Sequence, residues 1–183
     1  MKTILDLCGG TGSWSKPYKE AGYRIILVDT LTGNDVRTFE PPQDIQGILA
    51  APPCTEFAGS GARWWKDKPP ELLEEATEIV RACLRIIDKS QPTWWALENP
   101  VGRLTKCVPE LGKWKYTFQP CEFGHPWTKR TCIWGEHNEP GRGPFVEPDP
   151  KNSPWYMPPG PQRQMLRSIT PEGFARAFFR ANP

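Results

Sequence analysis

The first thirty residues constrain the fold most, because they contain two short apolar segments separated by a glycine-rich turn and a helical stretch. Residues 2–7 are typical of a buried strand, which runs into the turn Cys-Gly-Gly-Thr-Gly-Ser at 8–13. The pattern predicts a helix at about 14–21 and a second strand at 23–28, closed by Asp29. A strand, turn, helix and strand in this order predict two parallel strands joined by a crossover helix.

The rest of the chain continues the alternation of strands and helices. Further strands are expected at 45–50, 93–97, 115–119 and 131–134, and the last two are candidates for pairing with each other. A long amphipathic helix is expected to begin at Pro69, because the apolar residues after it recur at helical spacing. A final helix is expected at 170–182, with Thr170 as its N-cap. The chain is therefore predicted to form one α/β domain over 1–183, with a mostly parallel sheet flanked by helices.

Composition narrows the class of protein. The net charge is +2 and 38% of the residues are hydrophobic, which fits a protein that buries a core. The sequence lacks an apolar run of the ~20 residues that a membrane-spanning helix needs, and its start does not resemble a signal peptide. We therefore expect a cytoplasmic protein that binds no membrane.

The six cysteines include no Cys-x-x-Cys pair, so packed free thiols are expected rather than disulfides. A zinc site is a less favoured alternative, and we expect no metal. The residues that could converge on zinc are Cys107, Cys121, His125, Cys132 and His137.

The glycine turn predicts a cofactor that carries a nucleoside. Its spacing matches neither the dinucleotide pattern nor the phosphate-binding loop. Asp29 could accept both hydroxyls of a ribose, and Asp35 could meet an adenine amino group. S-adenosylmethionine fits this set, although both acids could also be simple turn residues. The residues predicted to bind it are Asp6, Leu7, Cys8, Gly9, Gly10, Thr11, Gly12, Ser13, Trp14, Asp29, Thr30, Asp35, Val36 and Pro52.

Cys54 and Glu98 are the candidate catalytic residues. Cys54 follows two prolines at the end of one strand, and Glu98 follows another, so both are expected at the same edge of a parallel sheet as the glycine turn. A thiol beside a carboxyl group suits attack on a pyrimidine, in which sulfur adds to C6, the protonated carboxyl contacts N3 and C5 takes the methyl group. The alternatives are a packed cysteine and a surface acid.

These motifs occur in the same order as in the cytosine-C5 DNA methyltransferase family, which the sequence resembles over nearly its whole length. The matching segments are the cofactor loop at 5–12, Pro-Pro-Cys at 52–54, Glu-Asn-Pro at 98–100, and Arg-Ser-Ile-Thr at 167–170. The segment at 123–131 is similar to one in short phage-borne members. The closing Gly-Asn motif of the family is missing from this chain.

The resemblance implies a Rossmann-like class I methyltransferase fold that methylates C5 of cytosine in DNA with S-adenosylmethionine. It implies that 136–166 forms a reduced, irregular target-recognition region. Arg130 is a third candidate catalytic residue, which would contact the target base. The predicted substrate-binding residues are Pro53, Phe57, Ser60, Arg63, Asn99, Lys129 and Arg167.

The substrate would be a cytosine flipped out of duplex DNA or one in a single strand. The segment 59–66 combines glycines, two cations and two tryptophans, which is typical of a mobile loop that closes over a substrate. Trp155 and Tyr156 are expected to pack the later loop rather than to stack on a base. Other readings remain: a methyltransferase-like binding module without turnover, the same chemistry on RNA or a nucleotide, and transfer of a different group from a modified cofactor.

Overall fold

The computed structural model describes residues 1–152, 156–158, 160 and 162–183. In this part of the chain, six strands form one sheet in the order β2-β1-β3-β4-β6-β5. The strands are β1 Thr3–Leu7, β2 Arg24–Val28, β3 Ile45–Ala50, β4 Trp94–Pro100, β5 Tyr116–Phe118 and β6 Thr131–Trp134. The mixed α/β architecture predicted from the sequence is confirmed.

The first four strands are parallel to one another. Because β1 pairs with β2 on one side and β3 on the other, the chain reverses its direction of travel across the sheet at β1. Ligands of open α/β sheets bind at such a point, beyond the carboxyl ends of the strands. Strand β6 is antiparallel to both β4 and β5, so the predicted pairing of the last two strands is also confirmed.

Helices cover both faces of the sheet. They are α1 Lys16–Glu20, α2 Pro70–Ser90, α3 Leu104–Cys107, α4 Arg163–Ser168 and α5 Glu172–Ala181. Alternation along β1 explains the two layers, because successive side chains of a strand point to opposite faces. Leu5 and Leu7 pack with α2, whereas Ile4 packs with α1 and α5.

Strand β4 is longer than the sequence predicts. Its pairing with β3 ends at Leu97, where Ala50 is the partner. Beyond this point β6 continues as a partner, since Glu98 pairs with Ile133 and Pro100 with Thr131. The Glu-Asn-Pro segment therefore belongs to β4 instead of following it as expected, although it still lies beyond the parallel part of the sheet.

Two helix starts also differ from the prediction. Helix α1 begins at Lys16 rather than near residue 14, because Gly12 has a positive φ of 69° and the turn continues to Ser15. The N-cap of α5 is Pro171 rather than Thr170. Thr170 is buried, and its N–H donates to Ser13 Oγ at 2.9 Å. This residue joins the last helix to the glycine turn instead of capping the helix.

The predicted target-recognition region at 136–166 is mostly irregular where the structure describes it, apart from a short turn at Pro150–Asn152 and the start of α4. It is held to the preceding loop by backbone bonds, including Gly143 N to Glu122 O at 3.0 Å and Val146 N to Cys121 O at 2.9 Å. Trp155 lies outside the described residues. Tyr156 is 73% exposed, so its predicted packing is wrong.

Candidate active site

The glycine turn between β1 and α1 is held by short hydrogen bonds. Gly12 N donates to Gly9 O at 2.9 Å, and Gly10 N donates to Asp29 Oδ2 at 2.9 Å. A Cβ on Gly9 would lie 2.3 Å from Asp6 Oδ1, so only glycine fits there. A Cβ on Gly10 would meet nothing within 4 Å. The turn therefore packs tightly on its inner side and leaves space for a ligand on its outer side.

Asp29 links this turn to the end of β2. Its second oxygen, Oδ1, accepts from Leu31 N at 2.9 Å. Each carboxylate oxygen has two lone pairs, so both oxygens of Asp29 can still accept a hydroxyl group. The neighbouring Thr30 is exposed. This arrangement fits the ribose of a nucleoside-bearing cofactor.

Asp6 is a buried acid at the base of the same turn. Ser15 Oγ donates to its Oδ2 at 2.5 Å, whereas Oδ1 has no partner among the described residues. The pKa of Asp6 is raised to about 6. Burial is the largest cause, the hydrogen bond from Ser15 opposes it, and the charge of Asp29 adds to it. An unpaired buried acceptor beside an open turn is a second feature that fits a bound cofactor with donor groups.

Other predicted cofactor residues have different surroundings. Asp35 is paired with Arg37, whose Nη2 lies 2.6 Å from Oδ2, and this pairing lowers the pKa of Asp35. An adenine amino group would have to share or replace this partner. The side chains of Leu7, Trp14 and Val36 are buried in the core, so only their backbone atoms are open to a ligand.

The loop that carries Cys54 is tied to the end of β4. Asn99 Nδ2 donates to Pro52 O at 3.1 Å, although Asn99 is only 1% exposed. Gly59 N donates to Val101 O at 2.8 Å. These bonds fix the two segments that bear Cys54 and Glu98 against each other. Asn99, which the sequence predicts to bind substrate, therefore holds the Cys54 loop in place.

A second set of bonds extends this junction. Arg103 Nε donates to Glu56 O at 2.8 Å, and its N–H donates to Phe57 O at 2.9 Å. Phe57 was predicted to bind substrate but is fully buried in the core. The guanidinium of Arg103 lies over the ring of Trp65, with 4.2 Å between its carbon and the ring centre. The segment predicted as a mobile loop forms a 3₁₀ helix, Gly59–Asp67, held at Trp65.

The remaining predicted substrate residues of this region are exposed. They are Pro53, Ser60 and Arg63. Arg63 lies over the ring of Trp64, with 5.0 Å between its guanidinium carbon and the ring centre. Both side chains face solvent, so they are open to a large substrate.

The charge of Glu98 acts on the thiol of Cys54. Burial raises the pKa of the half-buried Cys54 thiol, the charge of Glu98 raises it further, and Lys129 and Arg167 oppose both effects. Burial also raises the pKa of Glu98, which Lys129 opposes. Lys129 is a cation that acts on both groups. The bond from Asn99 to Pro52 O holds together the two segments that carry them.

Arg130 is exposed, and its charge acts on Cys132, where it opposes the burial that raises the pKa of that thiol to about 11. Its contact with the target base stays a prediction. The charge of Lys129 acts on Cys54, whereas that of Arg130 acts on Cys132. Lys129 also donates from Nζ to Arg167 O at 3.1 Å. Lys129 and Arg167 therefore form the basic side of the candidate site.

The cysteines are free thiols, and Cys83, Cys121 and Cys132 are buried. The neighbouring Cys8 thiol and burial raise the pKa of Cys83 well above its usual range. Among the described residues, no group of three or more His, Cys, Asp or Glu side chains could hold a metal ion. No helix in the described ranges is long and apolar enough to cross a membrane.

No family model matches the chain. The sequence is similar to the Type II methyltransferase M.DdeI of Desulfomicrobium norvegicum, with 29% identity over an aligned stretch of 126 residues. The match covers 56% of this chain and 28% of that protein. The chain thus spans less than a third of the length of the curated relative.

The fold is similar to a crystal structure described as a DNA modification methyltransferase encoded within a prophage of E. coli. The TM-score is 0.54 at 15% sequence identity, and the match covers 87% of this chain and 56% of that one. At this identity the likeness concerns the fold alone. The arrangement of the sheet and its flanking helices is therefore similar to that of this protein.

Proposed function

We propose that this protein transfers a methyl group from S-adenosylmethionine to C5 of cytosine in DNA, with Cys54 as the nucleophile. The observation that carries the proposal is the hydrogen bond from Asn99 Nδ2 to Pro52 O at 3.1 Å, which ties the loop of Cys54 to the strand end that bears Glu98. The charges of Glu98 and Lys129 both act on the pKa of Cys54. Cys54 and Glu98 lie 44 residues apart in the sequence. The similarity to a Type II methyltransferase supports the same chemistry.

The residues of the glycine turn would hold the cofactor. Asp29 would accept the ribose hydroxyls, and Asp6 would offer its unpaired oxygen to a donor group. When bound, S-adenosylmethionine supplies an electrophilic methyl group. The turn contains neither a lysine nor a phosphate-loop pattern, which agrees with a cofactor that carries no phosphate.

Glu98 would act as an acid. Because burial raises its pKa, Glu98 holds its proton to a higher pH than a free carboxyl group does, and it can donate a hydrogen bond to N3 of the ring. A protonated Glu98 has a further effect, since a neutral carboxyl no longer raises the pKa of Cys54. The same protonation thus favours both the thiolate and the polarised ring.

The thiol of Cys54 would give its proton to solvent and add as a thiolate to C6 of the ring. This addition moves electron density to C5, which then takes the methyl group. Loss of the C5 proton to water and departure of the sulfur restore the aromatic ring. Lys129 and Arg167 favour the thiolate by their charge, which offsets part of the effect of burial. Arg63 and Ser60, both exposed near the nucleophile, are candidates for contact with the DNA backbone.

Nucleoside analysis tests the proposed reaction. DNA of mixed sequence, in single-stranded and duplex form, is incubated with the protein and labelled S-adenosylmethionine, and then digested to nucleosides. We expect label in 5-methylcytosine only. Label in N4-methylcytosine or N6-methyladenine would contradict the assignment of Cys54, because methylation of an exocyclic amine needs no covalent adduct. Label in RNA but not in DNA would move the proposal to a different substrate.

A further inference from the structure

A cavity of about 490 Å³ lies beside the candidate active site. Its walls come from the start of α1, the segment that contains Trp127, helix α4 and the start of α5. It shares Lys129 and Arg167 with the surroundings of Cys54, but none of its lining comes from Cys54, Glu98 or Asp29. Ser13 of the glycine turn also lines the cavity, so the cavity borders the proposed cofactor site as well as the surroundings of Cys54.

The lining of this cavity carries an excess of positive charge. It contains four cations and one carboxylate, that of Glu172, which is paired with Arg176 at 2.8 Å. Glu20, outside the lining, pairs with Lys16 at 3.6 Å and with Arg176 at 3.0 Å. The cations are Lys16, Lys129, Arg167 and Arg176. An excess of positive charge in a concave, partly apolar site raises the local concentration of anions. The charge thus favours an anionic ligand.

An aromatic pair forms part of the wall. The rings of His125 and Trp127 lie 4.7 Å apart between their centres. His125 is held in place because its Nε2 accepts from Gly173 N at 3.2 Å. Trp127 is half-buried, so it presents a positioned ring to the cavity. Apolar side chains of Pro17, Leu166 and Ile169 complete this part of the lining.

We propose that this cavity binds the base of a DNA nucleotide that lies next to the target cytosine on the same strand. This proposal rests on the proposed function. Nucleic-acid strands bind where aromatic side chains stack on bases and cations contact the backbone, and this cavity offers both. Lys129 lines the cavity, and its charge also acts on the Cys54 thiol. A ligand in the cavity would therefore lie next to the target cytosine. The volume is within the usual range for a bound ligand, roughly 300–1,000 Å³.

The test compares Trp127→Ala and Trp127→Phe with the wild-type protein, and uses Trp114→Ala as a matched control. Trp114 is 38% exposed and packs edge-on against Trp134, away from the cavity. The dissociation constant is measured for a fluorescein-labelled DNA of mixed sequence. The base preference around each methylated cytosine is measured by sequencing a randomised DNA library. Melting temperatures show whether each variant is folded.

We expect Trp127→Ala to weaken DNA binding about tenfold, as loss of one stacking partner does, and to flatten the base preference at one position beside the cytosine. Trp127→Phe should keep both properties, and Trp114→Ala should match the wild type. A folded Trp127→Ala protein with unchanged affinity and unchanged preference would overturn the proposal, as would a wild-type protein that binds no DNA.

The two proposals can fail separately. If the wild type methylates cytosine and Trp127→Ala changes nothing, the cavity proposal fails and the proposed function stands. If the wild type binds DNA through Trp127 but forms no 5-methylcytosine, the proposed function fails, and with it the assignment of a neighbouring target. In that outcome the cavity is a DNA-binding site without the reaction.

Discussion

The cofactor side and the nucleophile side of the candidate site are built in different ways. On the cofactor side, Asp6, Gly10 and Asp29 lie within 24 residues of one another, and each makes a direct hydrogen bond within the turn: Gly10 N to Asp29, and Ser15 Oγ to Asp6. On the nucleophile side, Cys54, Glu98 and Lys129 come from three distant segments, and the charges of Glu98 and Lys129 act on Cys54. The first arrangement suits a ligand that must be held. The second suits groups whose protonation must change during a reaction.

This difference predicts that substitutions on the nucleophile side alter the rate and its pH dependence, whereas substitutions on the cofactor side alter stability and binding.

The largest effect is expected for Glu98→Gln. The variant loses the acidic proton but keeps the size of the side chain, so the rate of methyl transfer should fall by about 10²–10⁴-fold. Cofactor affinity should stay near that of the wild type. Rates under single-turnover conditions, together with calorimetric titration of the cofactor, check both statements. A rate close to wild type would assign the acid to another residue.

Asp6→Asn should change how stability depends on pH. The pKa of Asp6 is about 6 in the folded protein and 3.8 without the surroundings of the fold, so the folded state binds a proton that the unfolded state has lost between these values. The free energy of unfolding therefore decreases as pH rises through this window, by roughly 3 kcal/mol for a shift of this size. Asp6→Asn should lack this decrease.

Urea unfolding of both proteins between pH 4 and pH 7 measures the contribution of Asp6. The unfolding free energy of the wild type minus that of Asp6→Asn should decrease as pH rises. A difference that stays constant with pH would show that Asp6 titrates normally.

A smaller effect on cofactor binding separates the two other acids of this side. Asp29→Asn should raise the dissociation constant for S-adenosylmethionine about tenfold, since hydrogen bonds to charged groups contribute roughly 1.5–3 kcal/mol each. Asp35→Asn should have less effect, because Arg37 already pairs with the Asp35 carboxylate. An equal loss in both variants would give Asp35 the adenine contact that the sequence suggests.

The smallest effect concerns the neighbouring cations Lys129 and Arg130. Lys129→Met should shift the pKa of Cys54 upward and slow its alkylation by iodoacetamide several-fold, because a charge that favours the thiolate is lost. Arg130→Met should leave this reaction nearly unchanged. Mass spectrometry of the Cys54 peptide across pH distinguishes the two. A larger effect in Arg130→Met would restore Arg130 as the cation beside the nucleophile.

Local patterns account for what the sequence predicts well. The strand Ile45–Ala50 is found with its predicted bounds, and the glycine turn, Asp29 and Cys54 lie at the carboxyl ends of strands as expected. Each of these features depends on residues adjacent in the chain. The parallel sheet then follows from the alternation of strands and helices.

Features that depend on distant partners were not predictable in this way. The extension of β4 through Glu98 depends on pairing with β6, and Thr170 is drawn from its capping position by Ser13. The choice between Lys129 and Arg130 depends on which side of the chain faces Cys54. All four residues of β6 are buried. The strand that follows Lys129 and Arg130 therefore shows no alternation of buried and exposed residues that would indicate which cation faces Cys54.

Covalent trapping on DNA that contains 5-fluorocytosine tests the role of Cys54 most directly. Fluorine at C5 cannot leave as a proton does, so the sulfur should stay bonded to C6 after the methyl group has been transferred. We predict a stable adduct with wild-type protein that requires S-adenosylmethionine, is absent with Cys54→Ser, and persists with the control Cys107→Ser. An adduct that forms without Cys54, or methylation of normal cytosine by Cys54→Ser at the wild-type rate, would contradict the proposed mechanism.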